Sequence, residues 1–185
     1  MPYEQDGRLL EKILKIDRRL NMNFEDKLNY IYQEIATKVN EIIPNEWNNI
    51  FIEAEVTLEG GSIFFFYTLK NYDGVFYSLN IPDDFNISEK KYNDLENELY
   101  EKFEELNLEF KKNNQEIWTT CTFILNNDGK ANVSFGYINW LDNDFTLGTR
   151  IDYFKYKYFG ELPEQQRLID EVKQLEQFIK EQEEQ

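Results

Sequence analysis

The chain contains no histidine. That removes the commonest general base, the commonest transition-metal ligand and every histidine-dependent nucleophilic triad. Cysteine is almost as scarce: Cys121 stands alone, so there is no internal disulfide and no multi-thiolate metal site. Its place within an apolar, strand-like run fits a small buried hydrophobe. No apolar run approaches the roughly 20 residues that span a bilayer, and the amino terminus has no signal-peptide core. A cytoplasmic protein without metal, cofactor or catalytic role is expected. Positive charge is also in short supply, with 20 Lys and Arg against 36 Asp and Glu and a net charge of −16. Such a surface repels nucleic acid and anionic membrane and draws basic partners toward itself.

What is present is aromatic and periodic. The 185 residues include 15 Phe and 12 Tyr, and 41% are hydrophobic, enough for one sizeable core. The chain is organised around the stretch 116–140, read as a hairpin at the middle of an antiparallel sheet. Two runs, 118–125 and 131–138, flank Asn126-Asn127-Asp128-Gly129-Lys130, and an Asp-Gly pair between alternating runs is a hairpin signal. Cys121, Phe123 and Leu125 share one face with Val133, Phe135 and Tyr137 opposite them on the partner run. The other face, with Thr120, Thr122 and Ser134, is mixed, able to stay wet or to meet a partner. Strands are also expected over 50–58 and 62–70 around Glu59-Gly60-Gly61, and over 75–79.

Helical spacing appears in four places. Leu28, Ile31, Ile35, Val39 and Ile42 make a stripe from about 24 to 43, ended by Pro44. Ser88 is placed to cap a helix over 89–112, whose stripe is Tyr92, Leu95, Leu99, Phe103, Leu106 and Phe110 and whose outer positions are acidic. A last helix follows Pro163, with Leu168, Val172, Leu175 and Ile179 inward. The run 153–159 suits an edge strand or a short helix equally. Residues 1–22 stand apart as an amphipathic extension that docks on its own domain, pairs with a second copy as a homodimer, or frays as a tail. They hold five basic residues against four acids, so the rest of the chain carries −17. The expected fold is α+β: one domain over 23–182, an antiparallel sheet of hairpins with long amphipathic helices on its apolar side, and a frayed tail at 183–185.

Few constellations suggest chemistry. Pro82-Asp83 with Glu109-Phe110-Lys111 is a loose nuclease-like pattern, but Glu109 and Lys111 fall on a helix, where side chains two apart diverge. Glu53 with Glu55, and Asp142 with Asp144, could hold a hard cation only with a ligating loop that the sequence does not supply. The acidic surface is the better lead. Carboxylates placed where phosphates would lie can fill a nuclease's basic cleft, and tyrosine and tryptophan supply anchors.

On these residues the chain resembles the YezG-like antitoxin family, and most its staphylococcal EsaG-type branch. The matching pieces are FEDKLNYIYQEIATKVNEIIPNEW (24–47), GGSIFFFY (60–67), NIPDDFNISEKKYNDL (80–95), the hairpin 116–140 and YFKYKYFGELPE (153–164). The resemblance implies immunity: binding the nuclease domain of a toxin exported by a type VII secretion system, inside the cell that makes it. The alternative is a secretion chaperone that escorts the toxin without blocking catalysis. Candidate toxin-contact residues are Glu53, Glu55, Asp83, Asp84, Tyr137, Trp140, Asp142 and Asp144. The family's strands often carry acids where this chain has Gly136 and Asn139, which passes any electrostatic role there to neighbours such as Asp142.

Overall fold

The computed structural model describes residues 22–183. The amphipathic extension expected over 1–22 lies outside them, save for Met22, as do the last two residues of the tail. Among the described residues there are five α-helices and five strands. They form one α+β domain around an antiparallel sheet.

Strand β1 (Trp47–Thr57) is the spine. It pairs with β2 (Gly60–Leu69) through a tight hairpin and, on its other side, with β4 (Thr120–Asn126). β3 (Phe76–Tyr77) and β5 (Ala131–Gly136) complete the order β3-β2-β1-β4-β5, so among the described residues the β4–β5 hairpin lies at an edge and not at the middle of the sheet, because β1 pairs on both sides. The 126–130 turn closes as its Asp-Gly pair predicts: Gly129 takes φ +78°, and its N–H donates to the Asn126 carbonyl at 3.0 Å.

Helix α1 (Phe24–Ile42) and helix α3 (Glu89–Lys112) pack side by side on one face of the sheet. Asn23 and Ser88 cap them, each side chain accepting a backbone N–H three residues on. Beneath them Ile50, Ile52, Ala54, Phe65, Tyr67, Cys121 and Phe123 are essentially fully buried. Trp118, just before β4, joins this core and stacks on Phe135 at 5.5 Å between centroids.

The other face is only partly wet: its β1–β2 half is covered, while its β4–β5 half borders a cleft where Ser134 is exposed. Helix α4 (Leu147–Phe159) lies across it and α5 (Gln166–Glu183) backs it, so helices cover both faces and not only one. The reason sits in β1 and β2. Phe51, Phe64 and Phe66 project from this face and meet Phe154, Tyr158 and Phe159 of α4 at centroid separations of 4.8 to 6.2 Å. Three phenylalanines left in water would forfeit about 2 kcal/mol each. The run 153–159 is therefore a helix.

Two smaller expectations are corrected. The strand expected over 75–79 shrinks to two residues, because Ser78 Oγ accepts the Phe65 N–H at 3.2 Å where a ladder partner would have been. Pro82-Asp83-Asp84 does not merely end that strand but opens a short helix, α2 (Ile81–Phe85).

Candidate functional site

Glu53 and Glu55 lie two apart on β1 and so share a face, the one under α4. Glu55 is 7% exposed and Arg150, in the first turns of α4, is 8% exposed. Arg150 Nη2 donates to Glu55 Oε2 at 2.9 Å, and Ser62 Oγ lies 3.5 Å from the same oxygen. The guanidinium also sits over the Trp140 ring, 5.0 Å from its centroid. Glu55 is thus committed to holding α4 on the sheet and does not belong to the exposed acidic surface. Gly61 is required beside it, because a Cβ there would stand 1.9 Å from the Glu55 carbonyl oxygen.

Glu53 is different. It is half-buried at the base of a cleft of about 320 Å³ between β4–β5 and the pair α4–α5. Burial pushes its carboxyl up from 4.5 to about 7; Arg150 and Lys157 pull against that rise and Glu55 adds to it. Thr120, Thr122, Ser134, Trp140, Tyr153 and Lys157 are among the residues that line the cleft. A strongly perturbed carboxyl in a cleft is a common mark of a working site. Among the described residues no cluster of three or more carboxylate, histidine or cysteine side chains could hold a metal ion. No described helix is long and apolar enough to cross a membrane.

The stretch 137–147 forms a second candidate surface. Thr119 Oγ1 donates to the carbonyls of Gly136 and Ile138, at 3.1 and 2.7 Å, and leads the chain out of β5. Tyr137 consequently turns outward and is 46% exposed, although it shares a strand parity with the core residues Val133 and Phe135. Asn139 caps a 3₁₀ turn (Trp140–Asp142), accepting the Leu141 N–H and donating to Asp142. Gly136 has its own constraint, since a Cβ there would meet Thr120 Oγ1 at 2.4 Å. Asp142, Asp144, Leu141 and Leu147 are exposed beside Tyr137 in the chain, whereas Trp140 is half-buried against Arg150 and Phe178.

The eight residues singled out from the sequence are therefore not one cluster. Glu53 and Glu55 lie under α4. Tyr137, Trp140, Asp142 and Asp144 follow β5, at one sheet edge. Asp83 and Asp84, both exposed, lie on α2 just after β3, at the opposite edge. Further carboxylates, Asp94, Glu98, Glu101 and Glu104, line the exposed side of α3. Glu109 does not; it is buried and paired with Lys27 and Lys112. Arg150 and Lys157 carry no signal in a chain read by its acids, because their partners lie about a hundred residues earlier in β1.

A profile of the YezG-like immunity proteins matches residues 28–173. The type VII secretion system protein EsaG of Staphylococcus aureus is 44% identical over 163 residues, spanning 88% of this chain and all of that protein. The chain belongs to the YezG-like immunity protein family. The immunity proteins YezG of Bacillus spizizenii and Bacillus subtilis are 36% and 35% identical, covering 83% and 72% of this chain and 94% and 89% of theirs. An immunity role follows from this membership, and with it a cognate toxin as partner.

Proposed function

We propose that this protein binds the nuclease domain of a type VII-secreted toxin and inhibits it within the producing cell. The observation that carries the reading is similarity to a type VII secretion system protein over all of that protein's length, joined to membership of a family of immunity proteins. The nuclease target is favoured by charge. A domain carrying −17 over residues 23–185 suits a partner whose cleft already binds phosphates. We place the contact at 137–147, where exposed Tyr137, Leu141 and Leu147 alternate with exposed Asp142 and Asp144 next to the edge strand β5. Apolar anchors ringed by charge give affinity at the centre and steering at the rim. The binding unit is residues 23–182, with 1–22 outside it.

The name of the staphylococcal relative, a secretion system protein, favours a second reading: escort of the toxin to export without blocking it. Titrating the chain into the purified nuclease domain separates the two. Inhibition means that activity falls to zero at a 1:1 ratio. A stoichiometric complex that retains full nuclease activity overturns inhibition and leaves escort.

A further inference from the structure

Large apolar side chains gather at the end of the sheet where the β1–β2 hairpin turns. Leu58, at the tip of that hairpin, is fully exposed, and Leu108, Ile117 and Tyr137 are each about half exposed. The backbone sets three of them side by side. Val56 N–H donates to the Thr119 carbonyl and Thr119 N–H to the Gly136 carbonyl, both at 2.9 Å, so the segments bearing Leu58, Ile117 and Tyr137 leave the sheet as neighbours. Carried two residues past Val56, the β1–β4 register puts Leu58 opposite Ile117. The β4–β5 register makes Tyr137 a diagonal neighbour of Ile117 on the other side. Opposite positions lie about 5 Å apart and diagonal ones about 7–8 Å, within reach of leucine and tyrosine side chains. Leu108 comes from α3, whose Asn107 Nδ2 donates to the Trp118 carbonyl at 2.8 Å and ties its last turns to the segment bearing Ile117.

The hairpin tip is braced so as to hold Leu58 outward. Thr57 Oγ1 donates to the Gly60 carbonyl at 2.7 Å and accepts the Glu59 N–H at 3.2 Å, while Gly60 takes φ +123°. Gly61 lies against α3, where a Cβ would stand 2.3 Å from the Tyr100 hydroxyl. A fully exposed leucine adds no buried area to the fold, and a braced tip loses little freedom when a partner covers it. Exposed carboxylates border the group: Glu59 beside Leu58, Glu104 one turn before Leu108, Glu116 beside Ile117, and Asp142 a few residues after Tyr137. A second copy of the chain docking here would set these acids against its own, which opposes self-association through this end. A partner with lysine and arginine around an apolar depression meets both features.

We propose that this end of the sheet is the second half of the toxin-binding surface, continuous with 137–147 through Tyr137, and that Leu58 inserts into an apolar depression of the toxin rimmed by basic side chains. The inference rests on toxin binding as proposed above. Surface plasmon resonance of the full chain with the cognate toxin tests it, with melting temperatures measured alongside. Leu58→Asp and Ile117→Asp are expected to leave the melting temperature unchanged and to speed toxin dissociation about tenfold or more each. Glu104→Lys is expected to slow association several-fold with dissociation unchanged. Native dissociation rates in Leu58→Asp and Ile117→Asp overturn the proposal; if Tyr137→Ala still dissociates faster, the contact at 137–147 stands without it. A native chain that does not bind the toxin overturns the toxin reading and this inference together. The Leu58 methyl resonance of the toxin-free chain reads the other occupants. A shift with protein concentration assigns the patch to a second copy, and a shift on deleting residues 1–21 assigns it to that segment; either result overturns the proposal.

Discussion

Glu53→Gln should make the protein more stable at pH 8 and leave it nearly unchanged at pH 4. The folded chain holds the Glu53 proton more tightly than the unfolded chain does, since burial raises the carboxyl from 4.5 to about 7. Ionisation of Glu53 therefore favours the unfolded state. The penalty is absent below 4.5, grows as pH climbs from 4.5 toward 7, and is complete above 7. A rise of that size corresponds to about 3 kcal/mol at pH 8. The amide of Gln is near-isosteric and never ionises, so the variant escapes the penalty without opening a cavity. Urea unfolding of both proteins at pH 4, 6 and 8 measures it, and the difference between them cancels every other titrating group. The expected gain at pH 8 is about 2–3 kcal/mol, with equal urea slopes. A pH-independent difference, or a Gln variant less stable at pH 8, refutes the reasoning and means that Arg150 and Lys157 hold Glu53 ionised in the folded state.

Arg150→Met should cost about 3–5 kcal/mol by thermal or urea unfolding, because it strands Glu55 as a buried, uncompensated charge; the double variant Arg150→Met, Glu55→Gln should recover much of that loss. Tyr137→Ala should leave the melting temperature nearly unchanged and speed toxin dissociation, with a binding loss of about 2 kcal/mol if the ring is an anchor, whereas Trp140→Ala should lose about 3 kcal/mol of fold stability through its Arg150 and Phe178 contacts. Raising salt, or reversing Asp142, should slow toxin association several-fold with little change in dissociation, as stopped-flow mixing would record. Deleting residues 1–22 should leave a folded chain that still binds toxin; loss of binding at matched stability would place that segment in the interface.

Local signals carried much of this fold and long-range ones did not. The Ser88 cap and the spacing from Tyr92 to Phe110 mark α3 at both ends, and Asp128-Gly129 marks the β4–β5 turn. Each is a matter of neighbours in the chain. In α4 every position from 153 to 159 is aromatic or lysine, so a period of 3.6 cannot be told from one of 2; only the packing of Phe154 and Tyr158 on Phe51, Phe64 and Phe66 settles it. The same blindness hid the site. Glu53 and Glu55 alternate with apolar residues as a solvated strand face would, and nothing near them announces the arginine 95 positions later that buries one of them. Tyr137 failed in the opposite sense: its parity points to the core, yet the strand ends one residue earlier.

The sheet order also sets a timetable. β1 acquires its first neighbour at once, through the hairpin to β2, but its second neighbour is β4, and Ile52 must wait for Phe123. At usual rates of synthesis, roughly 5–20 residues per second, that wait is several seconds. Throughout it, the hairpin shows Phe64 and Phe66 on one side and Phe65 and Tyr67 on the other, with an unpaired edge between them. α4, which covers Phe64 and Phe66, is made later still. Such non-local closure is slow and exposes aggregation-prone surface while it lasts. The length of that exposure is set by how far β4 lies from β1 in the sequence.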